Sequence, residues 1–382
     1  MDIIGIMVLV VSFFFLLIVG VPIAYSIGVA GVLTMLVHID SLPALTTYAL
    51  RMASGLDSFA LLAIPFFILA GNIMNSGGIA LRLIDFAKVL VGRLPGGLAV
   101  VNVVANMLFG AISGSAAAAA SAIGSIMTPE MRKAGYDSHF SAAVNISSAT
   151  TGMTIPPSNV LIVYSLASGG VSVSALFMAG YLPGILTGVA LMIVAALFAA
   201  KAGYPVGERV PFKEAMRCFF RAVPSLMLLV IVIGGILAGW FTATEASAIA
   251  VLYALLLSFF YKELTWKELP EVLLRSARTT AIVLWLVATG SGVSWIRGGE
   301  NIPQTVSRLL LAISDNPVVI LLLINVILLA VGIFMDMTPA VLIFTPIFLP
   351  IATQQLSMDP VHFGIMMVLN LCVGLCTPPV GS

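Results

Sequence analysis

Residues 334–350 read FMDMTPAVLIFTPIFLP, a run that would pass for a membrane span except that it carries the carboxylate Asp336 and three prolines. An ionised group at membrane depth costs about 2.5 to 3.5 kcal/mol on the mildest scale, so it points first to function. Asp336 can stabilise a bound cation, directly or through the cation's ligands, or it can cap the half-helix that opens at Pro339 by accepting backbone N–H bonds. A proton carrier would need a partner acid or His close by in sequence, and there is none. Cation binding and capping both stay open at this stage.

Breaks of the same kind interrupt apolar sequence at Ser113-Gly114-Ser115, Ile155-Pro156-Pro157, Asp336-Met337-Thr338-Pro339 and Thr377-Pro378-Pro379. Backbone that leaves the helix inside a bilayer is tolerated only where protein buries it or it lines a hydrated cavity. Half-helix C-termini offer carbonyls to a hard cation, and half-helix N-termini offer amides to a carboxylate. Ser113, Ser115, Ser147, Ser148, Thr150, Thr151, Thr338, Thr345, Thr377 and Asn145 supply oxygens beside these breaks. Two further charges stand out. Arg297, ending VATGSGVSWIR, is either an interfacial arginine that snorkels outward or a partner for an anionic substrate or for Asp336. Glu245, in FTATEASAIA, reads as a span-start residue buried against hydroxyls, with a role in an ion path as the alternative.

The elements that carry these groups follow from composition. The chain has 382 residues, 60% hydrophobic and 9% charged, with apolar runs such as Ile3 to Val19 and Leu226 to Leu237 recurring throughout, which defines an all-α polytopic membrane protein embedded in a lipid bilayer. The first run has no basic n-region or cleavage site and reads as a span. Net charge is +1 and the basic residues lie in short loops, so no nucleic-acid partner is expected. Cys218, Cys372 and Cys376, with the scattered His38, His139 and His362, lack the spacing of a transition-metal site or a nucleophile–base pair, so no enzyme is expected, and no Walker-type motif is present.

Two halves align at an offset of 219 to 222 residues: Gly20 with Gly239, Gly110 with Gly332, Asp137 with Asp359, Gly152 with Gly374, and the Pro-Pro pair at 156 with that at 378. The charge bias reverses between them. Positions 41–57 hold one basic residue against four in 262–278, whereas 79–95 hold three against one in 300–316. Because Lys and Arg favour cytoplasmic loops, alternating bias implies two inverted-topology repeats. The first covers 1–168, with spans at about 3–20, 22–37 and 58–76, an arm at 79–95, a re-entrant hairpin at 97–130 and a broken helix at 137–168. A connecting span and basic cytoplasmic segment occupy 174–221. The second repeat covers 222–382, with spans at 222–238, 242–261 and 279–296, an arm at 301–315, a hairpin at 317–354 and a broken helix from 360.

The segments FGAISGSAAAAASAIGSIMTPEM, GMTIPPSNVLIVY, GWFTATEASAIAVLYA, GIFMDMTPAVLIFTPIFLPI and CVGLCTPPVG together resemble the large membrane subunit of the tripartite ATP-independent periplasmic (TRAP) transporters. The resemblance implies a bacterial inner-membrane, elevator-type, sodium-driven importer of organic acids such as C4-dicarboxylates, sialic acid or other sugar acids. It also implies a small membrane subunit and a periplasmic substrate-binding protein as partners. It places Na+ at Ser113, Gly114, Ser115, Ser148, Thr151 and Gly152 in the first half, and at Gly332, Asp336, Thr338, Gly374 and Thr377 in the second. Substrate would be met by Arg297, Ser115, Asn145, Pro156, Thr338 and Pro378. The family runs on for at least one span past the point matching Ser382, so the C-terminal end is expected to be missing from this sequence. A stand-alone sodium-coupled carboxylate symporter with the same two hairpins is the alternative reading.

Overall fold

The structure is a computed structural model that describes residues 3–76, 78–207, 211–299, 314 and 316–377. Among these residues the regular structure is helical, with no strand. Among the described residues six helices are long and apolar enough to cross a membrane, or seven spans if the bent pair at 41–56 and 59–75 counts as one. In lipid every backbone polar group must find its partner within the protein, and helices achieve this locally.

The chain forms two compact units that cut across the sequence repeats. Unit 2 comprises Leu62–Ile162 and Val173–Ala277. It holds α4 (Ala63–Ser76), α5 (Ile79–Val91), the hairpin α6 (Gly97–Ser113) and α7 (Ala116–Lys133), and then α8 (Ser138–Ala149) and the short α9 (Thr151–Thr154). The long spans α11 (Val173–Ala202), α12 (Phe212–Leu237) and α13 (Ala243–Phe260) complete it. Unit 1 comprises Met1–Leu61, Val163–Ser172 and Arg278–Gly381. Its helices are α1 (Ile3–Ile18), α2 (Ile23–His38), α3 (Ser41–Leu56), the hairpin α15 (Pro317–Phe334) and α16 (Met337–Gln354), and α17 (Pro360–Leu375). Two helices, α10 (Asn159–Ala167) and α14 (Leu269–Gly299), contribute residues to both units.

In unit 2 the arm α5 buries Ile79, Ala80, Leu83, Ile84 and Ala87, an i, i+4 stripe that seats it on its neighbours. Its two basic residues are paired. Arg82 donates to both carboxylate oxygens of Glu263, at 3.0 and 2.5 Å, with its guanidinium 3.6 Å from the centre of the Tyr261 ring. Lys88 Nζ lies 2.6 Å from Glu130 Oε1. Charged groups on a segment otherwise suited to lipid are thereby tied to α7 and to the loop after α13. In unit 1, Ala24, Ile27, Leu286 and Val293 form one core cluster, packed about by Leu9, Phe13, Ile23 and Ile343.

Three expectations change in detail. Residues 41–56, read as a connection, form the helix α3. The basic segment 201–221 does not end before the span: α12 starts at Phe212 and carries Lys213, Arg217 and Arg221 on its first turns. Likewise α14 starts at Leu269, so Arg275 and Arg278 lie within the helix. Long basic side chains reach past a helix end to water, so the helix continues past its apolar stretch. The arm at 301–315 lies outside the described residues except Ser314.

Candidate functional site

In unit 2 the hairpin reverses at Gly114, whose φ of +62° lies in the left-handed region where a side chain is strained. Its N–H donates to the carbonyl of Gly110 at 2.7 Å and closes α6, while Ser115 opens α7 by accepting the amide of Ala118 at 3.3 Å. Ser113 is buried and its hydroxyl donates to the Ser115 carbonyl at 3.4 Å. The tip rests on the second break of the same half, since a Cβ on Gly114 would stand 3.3 Å from the Pro157 carbonyl oxygen and 3.2 Å from Asn159 Nδ2. The Pro156–Pro157 bond is cis. Gly114 is therefore brought to Pro157 and Asn159.

One turn below, the hairpin touches the end of α8 and α9 backbone to backbone. A Cβ on Gly152 would lie 2.3 Å from the Gly110 Cα, so neither position has room for a side chain. The hydroxyl of Thr151 donates to the Ser148 carbonyl at 2.6 Å. Ser148 and Asn145 belong to a buried ladder: Asn106 Nδ2 lies 2.7 Å from Asn102 Oδ1, 2.9 Å from Ser148 Oγ and 3.1 Å from Asn145 Oδ1. Asn145 in turn donates to the Ala120 carbonyl at 2.9 Å, which ties α8 to α7. Buried polar groups need partners, and this ladder supplies them for the Asn106 Nδ2 across the helices, while the buried Asn106 Oδ1 has no hydrogen-bond partner among the described residues. Asn102 and Asn106 were missed in the sequence. Their spacing of four on a helix with an apolar remainder is the signal that could have found them.

Unit 1 repeats the construction. The hairpin reverses at Met335 and Asp336, both extended, between α15 and α16. A Cβ on Gly332 would stand 3.0 Å from the Gly374 Cα, the counterpart of the Gly110–Gly152 crossing. Thr377 donates its hydroxyl to the Gly374 carbonyl at 2.5 Å. Thr338 is buried in the first turn of α16. Asn325 and Asn370 pair at 2.7 Å between α15 and α17, a shorter form of the ladder in the other unit. The aspartates of the repeat do the same work in both halves: Asp137 Oδ1 accepts the amide of Phe140 at 2.9 Å, and Asp359 Oδ1 that of Val361 at 2.8 Å.

Asp336 stands at the N-cap position of α16, exposed, facing the amides of Met337 and Thr338 without making a cap hydrogen bond. Of the remaining sequence candidates, Arg297 lies in the last turns of α14 with its side chain outside the described residues, and Pro378 is outside them altogether. Glu245 closes a capping box with Thr242, accepting from its backbone N–H and its hydroxyl at 2.8 Å each, which makes it a helix-start residue.

The groups collected at the two crossings are hydroxyl, amide and carbonyl oxygens, a donor set that suits a hard cation. Among the described residues no group of three or more His, Cys, Asp or Glu is placed to hold a metal ion. Matched helix breaks with oxygen donors, among described residues that include six helices able to cross a membrane, point to the class of polytopic membrane permeases.

Residues 10–382 match the family model described as the tripartite ATP-independent periplasmic transporter, DctM component, and the chain belongs to that family. It is similar to YgiK of Salmonella typhimurium, at 56% identity over 99% of this chain and 86% of that protein. It is 41% identical to the C4-dicarboxylate TRAP transporter large permease DctM of Rhodobacter capsulatus, over 96% of this chain and 86% of the relative. With the sialic acid TRAP transporter large permease SiaM of Vibrio cholerae the identity is 40%, over 96% and 85%. The Alcanivorax borkumensis YdaH transporter shares its fold, with a TM-score of 0.61 at 14% identity, over 90% of this chain and 79% of that one. The protein is thus a large permease of the TRAP type, a multi-pass protein of the inner membrane.

Proposed function

We propose that this chain is the translocating subunit of a sodium-coupled importer of a small organic acid. The observation that carries the reading is the paired glycine crossing, Gly110 on Gly152 and Gly332 on Gly374, each beside a broken helix. Glycine at these four positions lets helix-end carbonyls and neighbouring hydroxyls converge, which suits Na+. Ser113, Ser115, Ser148 and Thr151 would contribute in one half, and Thr338 and Thr377 in the other. Asp336, exposed and making no cap bond, would offset the cation's charge. Arg297, Ser115, Asn145, Pro156, Thr338 and Pro378 would meet the substrate.

The two halves lie in the membrane with opposite topology, as the alternating charge bias suggests. The hairpins move substrate across in an elevator-type motion. A small membrane subunit and a periplasmic substrate-binding protein complete the complex, in keeping with the words tripartite and periplasmic in the family's description. The substrate is a carboxylate, in keeping with the dicarboxylate and sialic acid named for two relatives. Uptake of radiolabelled carboxylate into proteoliposomes, with and without the cognate binding protein, tests the partner requirement. Uptake at full rate without it would move the chain to the stand-alone symporters.

A further inference from the structure

Helix α12 of unit 2 outruns its own apolar stretch. Its 26 residues rise about 39 Å at ~1.5 Å each, against a hydrocarbon layer of about 30 Å. Residues 222–237 carry no charge, so the excess length falls on residues 212–221. There Lys213, Arg217 and Arg221 recur every four residues, one above another on a single stripe about 12 Å long. Beside that stripe the exposed side chains of Phe220, Met227 and Val230 carry an apolar face on into the hydrocarbon layer. The helix is held by its other side: Ala222, Ser225 and Leu228 are buried, and the Phe219 ring lies 5.9 Å from that of Phe86 on α5.

We propose that this edge of α12 binds an anionic phospholipid of the leaflet in which the helix begins, with the headgroup phosphate on Arg217 and Arg221, Lys213 at the outer rim, and an acyl chain along Phe220, Met227 and Val230. The arm residues Arg82 and Lys88 are each tied to a glutamate, whereas Lys213, Arg217 and Arg221, all exposed, form no salt bridge among the described residues. Glu214, the acid on the same turns, forms none either. Arg221 directly precedes the uncharged run, so the stripe starts at the hydrocarbon boundary and extends outward through the headgroup layer. A guanidinium there can fork onto two phosphate oxygens while its stem stays on apolar surface. A zwitterionic headgroup brings its own cation beside the phosphate, so net negative charge is what the stripe selects. An orientation signal alone requires only that basic residues lie near a span's end, and it does not require them to share one unpaired stripe bordered by an apolar one.

The test reads lipid enrichment beside the stripe. The full chain, with Cys218, Cys372 and Cys376 replaced by Ala, carries a bimane fluorophore on Val223→Cys and is reconstituted in phosphatidylcholine nanodiscs. Doxyl-labelled phosphatidylglycerol should quench the bimane to half at a mole fraction about threefold lower than doxyl-labelled phosphatidylcholine does. Combining Lys213→Gln, Arg217→Gln and Arg221→Gln should make the two lipids equal. Combining Arg132→Gln, Lys133→Gln and Lys267→Gln removes the same charge elsewhere and should leave the preference intact. If the first triple variant is not inserted, the chain with its stripe intact decides, because raising the ionic strength should bring its ratio toward one. Equal quenching by the two lipids beside the intact stripe would overturn the proposal. A preference that the first triple variant keeps, that the second loses, or that high salt leaves unchanged would do so as well. A bimane shielded from both lipids once a small membrane subunit is assembled on the chain would assign the stripe to that subunit and overturn the lipid site.

Discussion

Gly110 and Gly152 meet backbone to backbone: a Cβ on Gly152 would stand 2.3 Å from the Gly110 Cα, well inside any real contact distance. The pair 222 residues on, Gly332 and Gly374, repeats the crossing slightly less tightly, with 2.8 Å from a Gly374 Cβ to the Gly332 Cα. The neighbours on both sides are backbone atoms, which cannot swing aside as a flexible side chain would. Overpacking at such points costs about 1 to 3 kcal/mol. Gly152→Ala should therefore lower the melting temperature of the purified protein in detergent, and Gly374→Ala should lower it less. Gly234→Ala is the control, because a Cβ there meets nothing within 4 Å and alanine favours the helix. Equal melting of all three variants would mean that the crossing is looser than its geometry.

A second expectation concerns Asp336. It occupies the cap position of α16 without making a cap bond. Asparagine is about as good a cap as aspartate, so Asp336→Asn should be produced and inserted normally. If the charge acts on a cation, that variant should transport poorly and need more sodium for half-maximal uptake. Unchanged sodium dependence would leave Asp336 a structural residue only.

Topology is open to labelling. Lysine-directed reagents should reach Lys88 and Lys133 from the cytoplasm, and a thiol reagent should reach Arg308→Cys, which lies outside the described residues, from the periplasm. Reaction of all three from one side rules out inverted repeats.

A pH effect is expected at the loop before α14. Glu268 accepts from the Thr265 amide at 2.9 Å and from its hydroxyl at 2.8 Å, and these two hydrogen bonds hold its carboxyl below the ordinary glutamate value. A depressed carboxylate contributes stability that is complete above the unfolded pKa and is lost as pH falls through the folded one. Amide exchange at the start of α14 should thus speed up as pH drops below about 4.5, relative to intrinsic rates. Glu268→Gln should remove that pH dependence; its persistence would place the titrating group elsewhere.

The sequence made the helix breaks legible, because Ser113–Ser115, the Pro-Pro pair and Asp336–Pro339 each violate the pattern of the apolar run that contains them. The glycine crossings were visible as aligned positions, though not as contacts. What stayed hidden depends on distant pairing. α3 has Pro43 near its start and mixes polar with apolar residues, so it resembles a loop until Tyr48 meets Thr289, 241 residues away. The cavity of about 320 Å³ lined by α3, α14 and α16, being made by that packing, has no sequence signature. The asparagine ladder stayed hidden for a related reason: Asn102 and Asn106 gain meaning only where Asn145 and Ser148 arrive opposite them.

Coupling to sodium is the central claim, and it is tested most directly by uptake of labelled carboxylate into proteoliposomes holding the complete complex. An inward sodium gradient should drive accumulation, and an inward proton gradient without sodium should not. Accumulation driven equally well by protons in the absence of sodium would contradict the account.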